Sequence, residues 1–294
     1  MKYTAGETGT SRTNKIEYYI VYVSITYTMP PNKSPLRYPG GKTRACGKLT
    51  EILEQQFDMT QYTTIASPFF GGGSFEFHLQ GRFKKHLLVN DKFSPLYRFW
   101  KQVKDDKVAL CGAIRGILGK GVTKDDFTKF RETIMSAELS QLDAATLYFV
   151  INRCSFSGAT LSGGFSEEAS KKRFTESSVK RISELDLAGV AVVNKDFVDF
   201  LDIVHADAFI FLDPPYYLET SNLYGNNGDM HESFDHRALF SVISEKKNWM
   251  MTYNNCPYIR DLYKDYMIIE TSWSYGMNAS KESSEIVILC KKNI

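Results

Sequence analysis

The tetrapeptide Asp213-Pro214-Pro215-Tyr216 carries groups that could act on a planar amine. The Asp213 carboxylate and the Pro214 carbonyl can together accept the two hydrogens of such an amine. The prolines lack N–H donors and stiffen the turn, and the Tyr216 ring offers a face on which a base could stack. A proline-rich strand end with a surface aspartate is the simpler interpretation. The apolar run before Asp213 and the aromatic residue after the prolines favour a site.

A second group of candidate residues is the glycine-rich segment at residues 68–73, which ends in three glycines. Glycines at such a turn let the backbone approach a ligand closely. Asp91 follows by about 20 residues, the spacing at which an acidic residue meets ribose hydroxyls in nucleoside-binding folds. An ordinary tight turn remains the alternative for the glycines alone. Because no Gly-Lys-Ser/Thr follows, the pair indicates a nucleoside with little phosphate, and S-adenosyl-L-methionine fits.

Both groups of residues close short apolar runs, and the chain contains seven such runs. They lie at residues 62–66, 86–89, 190–193, 209–212, 249–252, 267–269 and 286–289. Helix-like stretches separate several of them, for example residues 43–57 and 234–245. Short continuous apolar runs are typical of strands covered on both faces, so the pattern predicts an α/β fold with a doubly wound sheet. The polar residues that end the runs would then meet at the carboxyl edge of the sheet.

The domain organisation follows from where this alternation stops. Residues 35–92 and 189–294 form the predicted catalytic and cofactor-binding domain, and residues 93–188 an inserted, mostly helical subdomain. Residues 152–178 of the insertion are polar and rich in Ser and Gly, which predicts long loops. Residues 1–34 are interpreted as an N-terminal extension. Its apolar stretch at residues 16–28 is either an edge strand or sequence upstream of a start at Met29.

The order of the motifs resembles that of the Dam-type (alpha-group) family of adenine-specific DNA methyltransferases. The matching segments, in chain order, are residues 38–42, 68–73, 90–91, 152–158, 196–197 and 213–216. The likeness covers roughly residues 35–290. It implies a Rossmann-like, S-adenosyl-L-methionine-dependent methyltransferase sheet whose insertion is the target-recognition subdomain. It also implies that methyl transfer to the exocyclic amine of adenine occurs in double-stranded DNA, on a base flipped out of the duplex.

The resemblance assigns roles residue by residue. The catalytic residues would be Asp213, Pro214 and Tyr216. The residues that bind S-adenosyl-L-methionine would be Tyr38, Lys42, Phe69, Gly71, Gly73, Asp91, Asp196, Phe197 and Asp213. Candidates for contact with DNA in the insertion are Arg153, Lys171, Lys172 and Arg173, although a solvated loop is an equal alternative for the lysines. His236 is interpreted as structural. Neither a metal nor a covalent intermediate is expected.

Two positions depart from the family pattern. Ser67 stands where the family usually has an acidic residue that helps to hold the amino group of the cofactor, so another group or water must do so. The arginine expected after Asn152-Arg153 in members that methylate GATC is absent, and that target sequence is not carried over. The sequence leaves open the target and whether the protein belongs to a restriction-modification system, a virus or a housekeeping pathway.

Composition narrows the class of protein without identifying it. The net charge of +2 and the pI of about 8.1 are too mildly basic to indicate nucleic acid on their own. Five cysteines without a Cys-x-x-Cys pair do not support a zinc site or a disulfide framework, which favours a cytoplasmic, nucleoid or nuclear protein that is not secreted. No membrane role and no obligate protein partner are expected. The alternatives are methylation of the exocyclic amine of cytosine, of a protein glutamine or of RNA, and a non-catalytic nucleic-acid-binding relative.

Overall fold

The computed structural model of the chain describes residues 32–136, 138–217, 234–274 and 282–292. The apolar stretch at residues 16–28 and the possible start at Met29 lie outside the described residues, as does nearly all of the predicted extension. None of the helices in the described part combines the length and the hydropathy needed to cross a lipid bilayer.

The described strands form one seven-stranded sheet in the order β3-β2-β1-β4-β5-β7-β6. The strands are β1 (Thr64–Ser67), β2 (His86–Asn90), β3 (Val190–Val193), β4 (Phe209–Leu212), β5 (Trp249–Asn254), β6 (Tyr266–Ser274) and β7 (Glu282–Lys292). The first five strands pair in parallel, whereas β7 runs antiparallel to both β5 and β6. The seven predicted apolar runs therefore correspond to the seven strands. Only β6 and β7 extend well beyond their runs, because they pair with each other over polar residues as well.

Helices cover both faces of the sheet, which confirms the doubly wound α/β fold. They are α1 (Cys46–Gln56), α2 (Ser74–Phe83), α3 (Ser94–Leu118), α4 (Lys124–Thr133), α5 (Gln141–Cys154), α6 (Glu167–Lys172), α7 (Glu176–Ser183), α8 (Phe197–Ile203), α9 (His236–Ser244) and α10 (Pro257–Leu262). Successive side chains of β4 point to opposite faces. Phe209 and Phe211 belong to the core cluster that includes side chains of α1 to α5 and α7, while Ile210 and Leu212 belong to the cluster that includes side chains of α8 to α10.

The described residues between β2 and β3 contain five α-helices, α3 to α7, and a short 3-10 helix at Phe156–Gly158. The expectation of long loops over residues 152–178 is wrong in part, since α6 and the start of α7 lie there. The Ser and Thr residues that suggested loops act instead as helix caps: Ser166 accepts a hydrogen bond from Ala169 N, and Thr175 and Ser178 form a capping box. The boundary of an inserted subdomain at residues 93–188 stays a prediction.

Candidate active site

The candidate site lies at the carboxyl edge of the sheet, where the strand order reverses between β1 and β4. After β1 the chain moves outward to β2 and β3, and it then returns to the other side of β1 as β4. Ligands of open α/β sheets bind in the crevice that forms at such a point. The glycine-rich segment follows β1, Asp91 follows β2 and Asp213 follows β4. The topology therefore brings the principal sequence-predicted residues to one edge.

Asp213 is held from two directions. The Lys42 ammonium lies 2.7 Å from Asp213 Oδ2, and the Thr252 hydroxyl donates to Asp213 Oδ1 at 2.7 Å. Lys42 begins a short 3-10 helix, is almost completely buried and also donates to Gly40 O at 3.0 Å. The Asp213 side chain is 22% exposed, and each carboxylate oxygen can accept a second hydrogen bond. The carboxylate is therefore fixed in position and still able to accept bonds from a substrate.

The rest of the tetrapeptide is tied to the antiparallel part of the sheet. The Tyr216 hydroxyl donates to Oε2 of the buried Glu285 on β7 at 2.5 Å. The Asn254 amide on β5 donates to the Tyr217 carbonyl at 2.7 Å. The Lys42 ammonium lies 5.1 Å from the centroid of the Tyr216 ring, within the range of a cation–π contact. These bonds fix the direction of the ring relative to the Asp213 carboxylate.

The glycine-rich loop is anchored by Asp91 and by a tryptophan that the sequence did not single out. Gly71 N donates to Asp91 Oδ2 at 3.0 Å, and Phe93 N donates to Asp91 Oδ1 at 2.9 Å. The indole of Trp100 donates to Gly71 O at 2.9 Å. Burial raises the pKa of Asp91 to about 6, and the two backbone donors oppose that shift. The N–H and the carbonyl of Gly71 are therefore both held in place.

Two glycines of this loop occupy positions that no other residue could take without displacement. Gly71 and Gly73 have φ values of 50° and 69°. A Cβ atom would lie 2.8 Å from Tyr38 Cε1 at Gly71 and 2.5 Å from Phe70 Cζ at Gly73. Side chains rarely adopt these torsions, and the contacts are shorter than van der Waals distance. The loop consequently packs its bare backbone against the Tyr38 ring.

Aromatic side chains line the neighbouring part of the crevice. The half-exposed Phe69 ring lies 5.9 Å from Phe197 and 5.6 Å from Phe234, between ring centroids. Asp196 caps α8 through Val198 N, and its Oδ2 lies 2.9 Å from the Lys92 ammonium. The structure thus places Phe69 and Phe197 together and Asp196 at the start of the same helix. That these residues approach the cofactor stays a prediction.

His236 is buried, and its Nδ1 lies 2.7 Å from the hydroxyl of Tyr253 on β5. Its ring also packs edge-on against Phe234 and Tyr217. These contacts connect the start of α9 to the sheet and to the residue after the tetrapeptide. They support the interpretation of His236 as a structural residue.

A buried carboxyl group that sequence reasoning missed lies beneath the glycine-rich loop. Glu76, in the first turn of α2, is buried, and its Oε1 accepts a hydrogen bond of 2.8 Å from the Ser67 hydroxyl. Burial raises the pKa of Glu76 to about 8, and the charge of Asp213 adds to that shift while Lys42 opposes it. The sequence offered one signal for this contact, namely Ser67 itself at a position where the family usually has an acid.

Four more residues of the site were not singled out from the sequence as functional: Trp100, Thr252, Asn254 and Glu285. Asn254 does follow one of the apolar runs and so belonged to the general group of candidates. Glu285 enters from a strand that runs in the opposite direction, so its position in the sequence gave no indication. The four residues act through hydrogen bonds to the site, to Gly71, Asp213, Tyr217 and Tyr216 respectively.

The predicted DNA-contacting residues divide into two groups. Lys171, Lys172 and Arg173 are exposed, and the two lysines pair with Glu167 and Glu168 one helical turn away. Arg153 is only 6% exposed. Its Nε donates to Arg173 O at 2.8 Å and its Nη1 donates to Pro35 O at 3.2 Å. Burial, followed by neighbouring arginines, lowers the pKa of Arg153 to about 10.

This placement favours a structural role for Arg153, and substitution can test it. We expect Arg153→Met to lower the free energy of unfolding by about 1–3 kcal/mol, because the Pro35 and Arg173 carbonyls lose their donor. Urea unfolding measures that loss, with Lys172→Met as the exposed control. The dependence of DNA binding on salt should not change. A shallower salt dependence with unaltered stability would instead indicate direct contact between Arg153 and phosphate.

Comparison with known proteins identifies the family to which the chain belongs. The family model for D12 class N6 adenine-specific DNA methyltransferases matches residues 38–277. The type II methyltransferase M.MjaIII of Methanocaldococcus jannaschii is 23% identical over 202 residues, which is 62% of this chain and 68% of the relative. The solved structure of HI0767 from Haemophilus influenzae, a protein proposed to be a methylase, matches 85% of this chain and 89% of its own at 13% identity. Its TM-score of 0.32 is too low to support an argument. The family match spans most of the sequence and all the loops of the candidate site, and the chain therefore belongs to the D12 class N6 adenine-specific DNA methyltransferase family.

Proposed function

We propose that this adenine-specific DNA methyltransferase uses S-adenosyl-L-methionine as methyl donor and acts on double-stranded DNA, with Asp213, Pro214 and Tyr216 at the reacting amine. The observation that carries the proposal is the arrangement of Asp213. Its carboxylate is fixed by Lys42 and Thr252 at the switch point of the sheet, with acceptor capacity left over. The proposal goes beyond family membership because it assigns a cofactor, a form of DNA and individual residues.

The described residues have the chemistry that S-adenosyl-L-methionine requires. Gly71 keeps the backbone beside the Tyr38 ring free of a side chain, and Gly73 does the same beside the Phe70 ring. The half-exposed Phe69 ring gives an apolar surface, and the Asp91 carboxylate can accept further hydrogen bonds from ribose hydroxyls. When bound, the cofactor supplies a methyl group made electrophilic by a sulfonium centre. Tyr38, Lys42, Phe69, Gly71, Gly73, Asp91, Asp196, Phe197 and Asp213 are the proposed cofactor-binding set.

The protein residues would act on the amine by hydrogen bonding and by orientation. The lone pair of the adenine amine is delocalised into the ring, so the amine is a poor nucleophile. Asp213 and the carbonyl of Pro214 accept its two hydrogens, which favours a pyramidal nitrogen whose lone pair points at the methyl group. Transfer of the methyl group would leave the bonding electron pair on the sulfur and a surplus proton on the nitrogen, and the Asp213 carboxylate would be in position to accept that proton. Positioning and electrostatics supply the rate acceleration.

Tyr216 would hold the base in this orientation. A base inside the duplex cannot reach a site that is sunk at the edge of the sheet, so the target must leave the stack. The ring of Tyr216, fixed through Glu285, provides a face that replaces part of the lost stacking. The same hydrogen bond keeps the ring from turning away when no base is bound.

The proposal can be tested with DNA of mixed sequence and methyl-labelled S-adenosyl-L-methionine. We expect labelled N6-methyladenine after digestion to nucleosides, and sequencing with detection of modified bases would give the target. Binding of S-adenosyl-L-homocysteine, which is what remains of the cofactor after transfer, gives an independent readout when it is measured by calorimetry without DNA. Label on cytosine would contradict the base assignment, whereas binding without any transfer would indicate a relative that has lost turnover.

The exposed cations of the insertion are the proposed contacts with DNA phosphates. We expect the triple variant Lys171→Gln, Lys172→Gln and Arg173→Gln to weaken DNA binding. The slope of log affinity against log salt should fall by about one for each phosphate that the variant no longer neutralises. The matched control changes Lys84, Lys85 and Lys247 to Gln, which removes the same charge before β2 and β5 at the opposite edge of the sheet. Equal reductions in affinity for both triple variants would show a general charge effect.

A further inference from the structure

Because Ser67 stands where an acidic residue is usual, no residue has yet been assigned to bind the amino group of the cofactor. Ser67 ends β1 directly before the glycine-rich loop, is completely buried and carries no charge. An amino acid ligand brings an ammonium group, and such a group binds most strongly to an ionised acceptor. Asp213 is already paired with Lys42 at 2.7 Å, and both oxygens of Asp91 accept backbone N–H groups. Both carboxylates already have partners in the free protein, so a further carboxylate nearby would strengthen the binding of the ammonium.

Glu76 lies within one hydrogen bond of Ser67. Its Oε1 accepts from the Ser67 hydroxyl at 2.8 Å, so the carboxyl group sits directly beneath the end of β1. Glu76 also stands in the first turn of α2, where the helix dipole favours a negative charge. Burial of an acid at a ligand site is unfavourable to the free protein unless a ligand supplies the missing positive charge.

We infer that the Glu76 carboxyl group, oriented by Ser67, is the acidic group of this chain that binds the amino group of S-adenosyl-L-methionine. The inference rests on the proposed use of that cofactor and names a residue outside the motifs that the chain shares with its family. Ser67 and Glu76 together would replace the single acidic residue that usually precedes the Pro-Phe sequence. In this chain the acidic residue lies nine positions later, on α2, and the Ser67 hydroxyl donates a hydrogen bond to it from the end of β1.

The charged and titratable neighbours of Glu76 decide how it responds to pH. Lys42 and Asp213 act on it with opposite signs and are paired with each other. Cys46 on α1 stays a neutral thiol, because burial and the nearby Glu76 raise its pKa to about 11. With a pKa of about 8, Glu76 is mostly protonated at neutral pH in the free protein. Arrival of an ammonium group lowers that pKa, so binding releases a proton and affinity rises with pH up to about 8.

Calorimetry with S-adenosyl-L-homocysteine, which cannot transfer a methyl group, tests this directly. Titrations at about pH 7 in buffers of different ionisation enthalpy report the number of protons released. We expect close to one proton for the unaltered protein and almost none for Glu76→Gln, together with about 10- to 100-fold weaker binding in the variant. The double variant Ser67→Asp, Glu76→Gln should recover affinity, because it restores an acid at the end of β1. Glu54→Gln, an exposed acid on α1, is the control.

A ligand without its amino group separates this role from a purely structural one. The deaminated analogue of S-adenosyl-L-homocysteine should bind the unaltered protein and Glu76→Gln equally well. Glutamine has the shape of the protonated acid, so the melting temperature of the variant should change little. Unaltered affinity in Glu76→Gln, or no proton release from the unaltered protein, would overturn the inference while leaving the proposed function intact. Failure of the unaltered protein to bind S-adenosyl-L-homocysteine would overturn the proposed cofactor instead.

Discussion

Asp213→Ala is expected to lower the rate of methyl transfer by about 100- to 1,000-fold, which is the loss typical when a fixed polar group at the reacting atoms is removed. The variant removes the proposed acceptor for one amine hydrogen and releases the Lys42 ammonium from its partner. Single-turnover transfer of labelled methyl to DNA measures the rate. Asp213→Asn retains a carbonyl acceptor in a side chain of the same shape, so its rate should lie between those of the unaltered protein and Asp213→Ala.

The loss of rate must be distinguished from a loss of structure. Lys42 is 3% exposed, so removing its carboxylate partner should also lower the free energy of unfolding, by about 3 kcal/mol, as when a buried ion pair loses one partner. Thermal melts and the binding of S-adenosyl-L-homocysteine at a temperature well below the transition make this distinction. Asp265→Ala, on an exposed turn, is the matched control. Transfer at the normal rate by a folded Asp213→Ala protein would refute the assignment of Asp213.

The sequence predicted the sheet well because its signals are local. Each strand from β1 to β5 is an apolar run with a polar residue at its carboxyl end, and parallel strands bring those ends to one edge. Asp91 and Asp213 could therefore be placed in the same crevice from the sequence alone. The prediction of long loops at residues 152–178 was wrong in part because it also used a local signal. Helix caps and loops are rich in the same polar residues, so composition does not distinguish them.

The hydrogen-bond partners of the site residues could not be predicted from the sequence, because they depend on contacts between distant parts of the chain. Glu285 reaches Tyr216 across 69 positions, and Thr252 reaches Asp213 across 39. Such pairings follow from the strand order, in particular from the insertion of β7 between β5 and β6, which no local pattern reveals. Arg153 illustrates the converse case. The positive charge of Arg153 within a recognition motif suggested contact with DNA, whereas the Arg153 guanidinium donates to the backbone carbonyls of Pro35 and Arg173.

These partners change what a substitution at the site would measure. Lys42 contacts the Asp213 carboxylate and the Tyr216 ring, and Glu76 responds to the charges of both Lys42 and Asp213. The residues proposed to bind the cofactor and those proposed to bind the base therefore share one buried lysine. Effects of substitutions at these residues should not be additive, and double variants are needed to assign each contribution.

Tyr216 allows the ring and the hydroxyl to be separated. Tyr216→Ala removes both, and we expect it to lower the ratio kcat/KM for DNA by about 10- to 100-fold, the value of one stacked base. Tyr216→Phe keeps the ring and removes only the donor to Glu285, so it is the matched control and should lose much less activity. The affinity for S-adenosyl-L-homocysteine should change little in either variant, since the stacking face serves the base.

The two variants also distinguish stacking from anchoring as the main role of Tyr216. If the ring supports the base, Tyr216→Phe stays close to the unaltered protein and only Tyr216→Ala loses activity. If the bond to Glu285 matters chiefly because it fixes the loop, both variants lose the same activity. Adding Glu285→Gln to Tyr216→Phe should then restore no activity, because the missing group is the donor and not the acceptor. The hydrogen bond of 2.5 Å predicts a rigid ring, and a rigid ring loses little entropy when a base stacks on it. Equal reductions in kcat/KM for Tyr216→Phe and Tyr216→Ala would therefore contradict the stacking role and leave the anchoring of the tetrapeptide as the function of this residue.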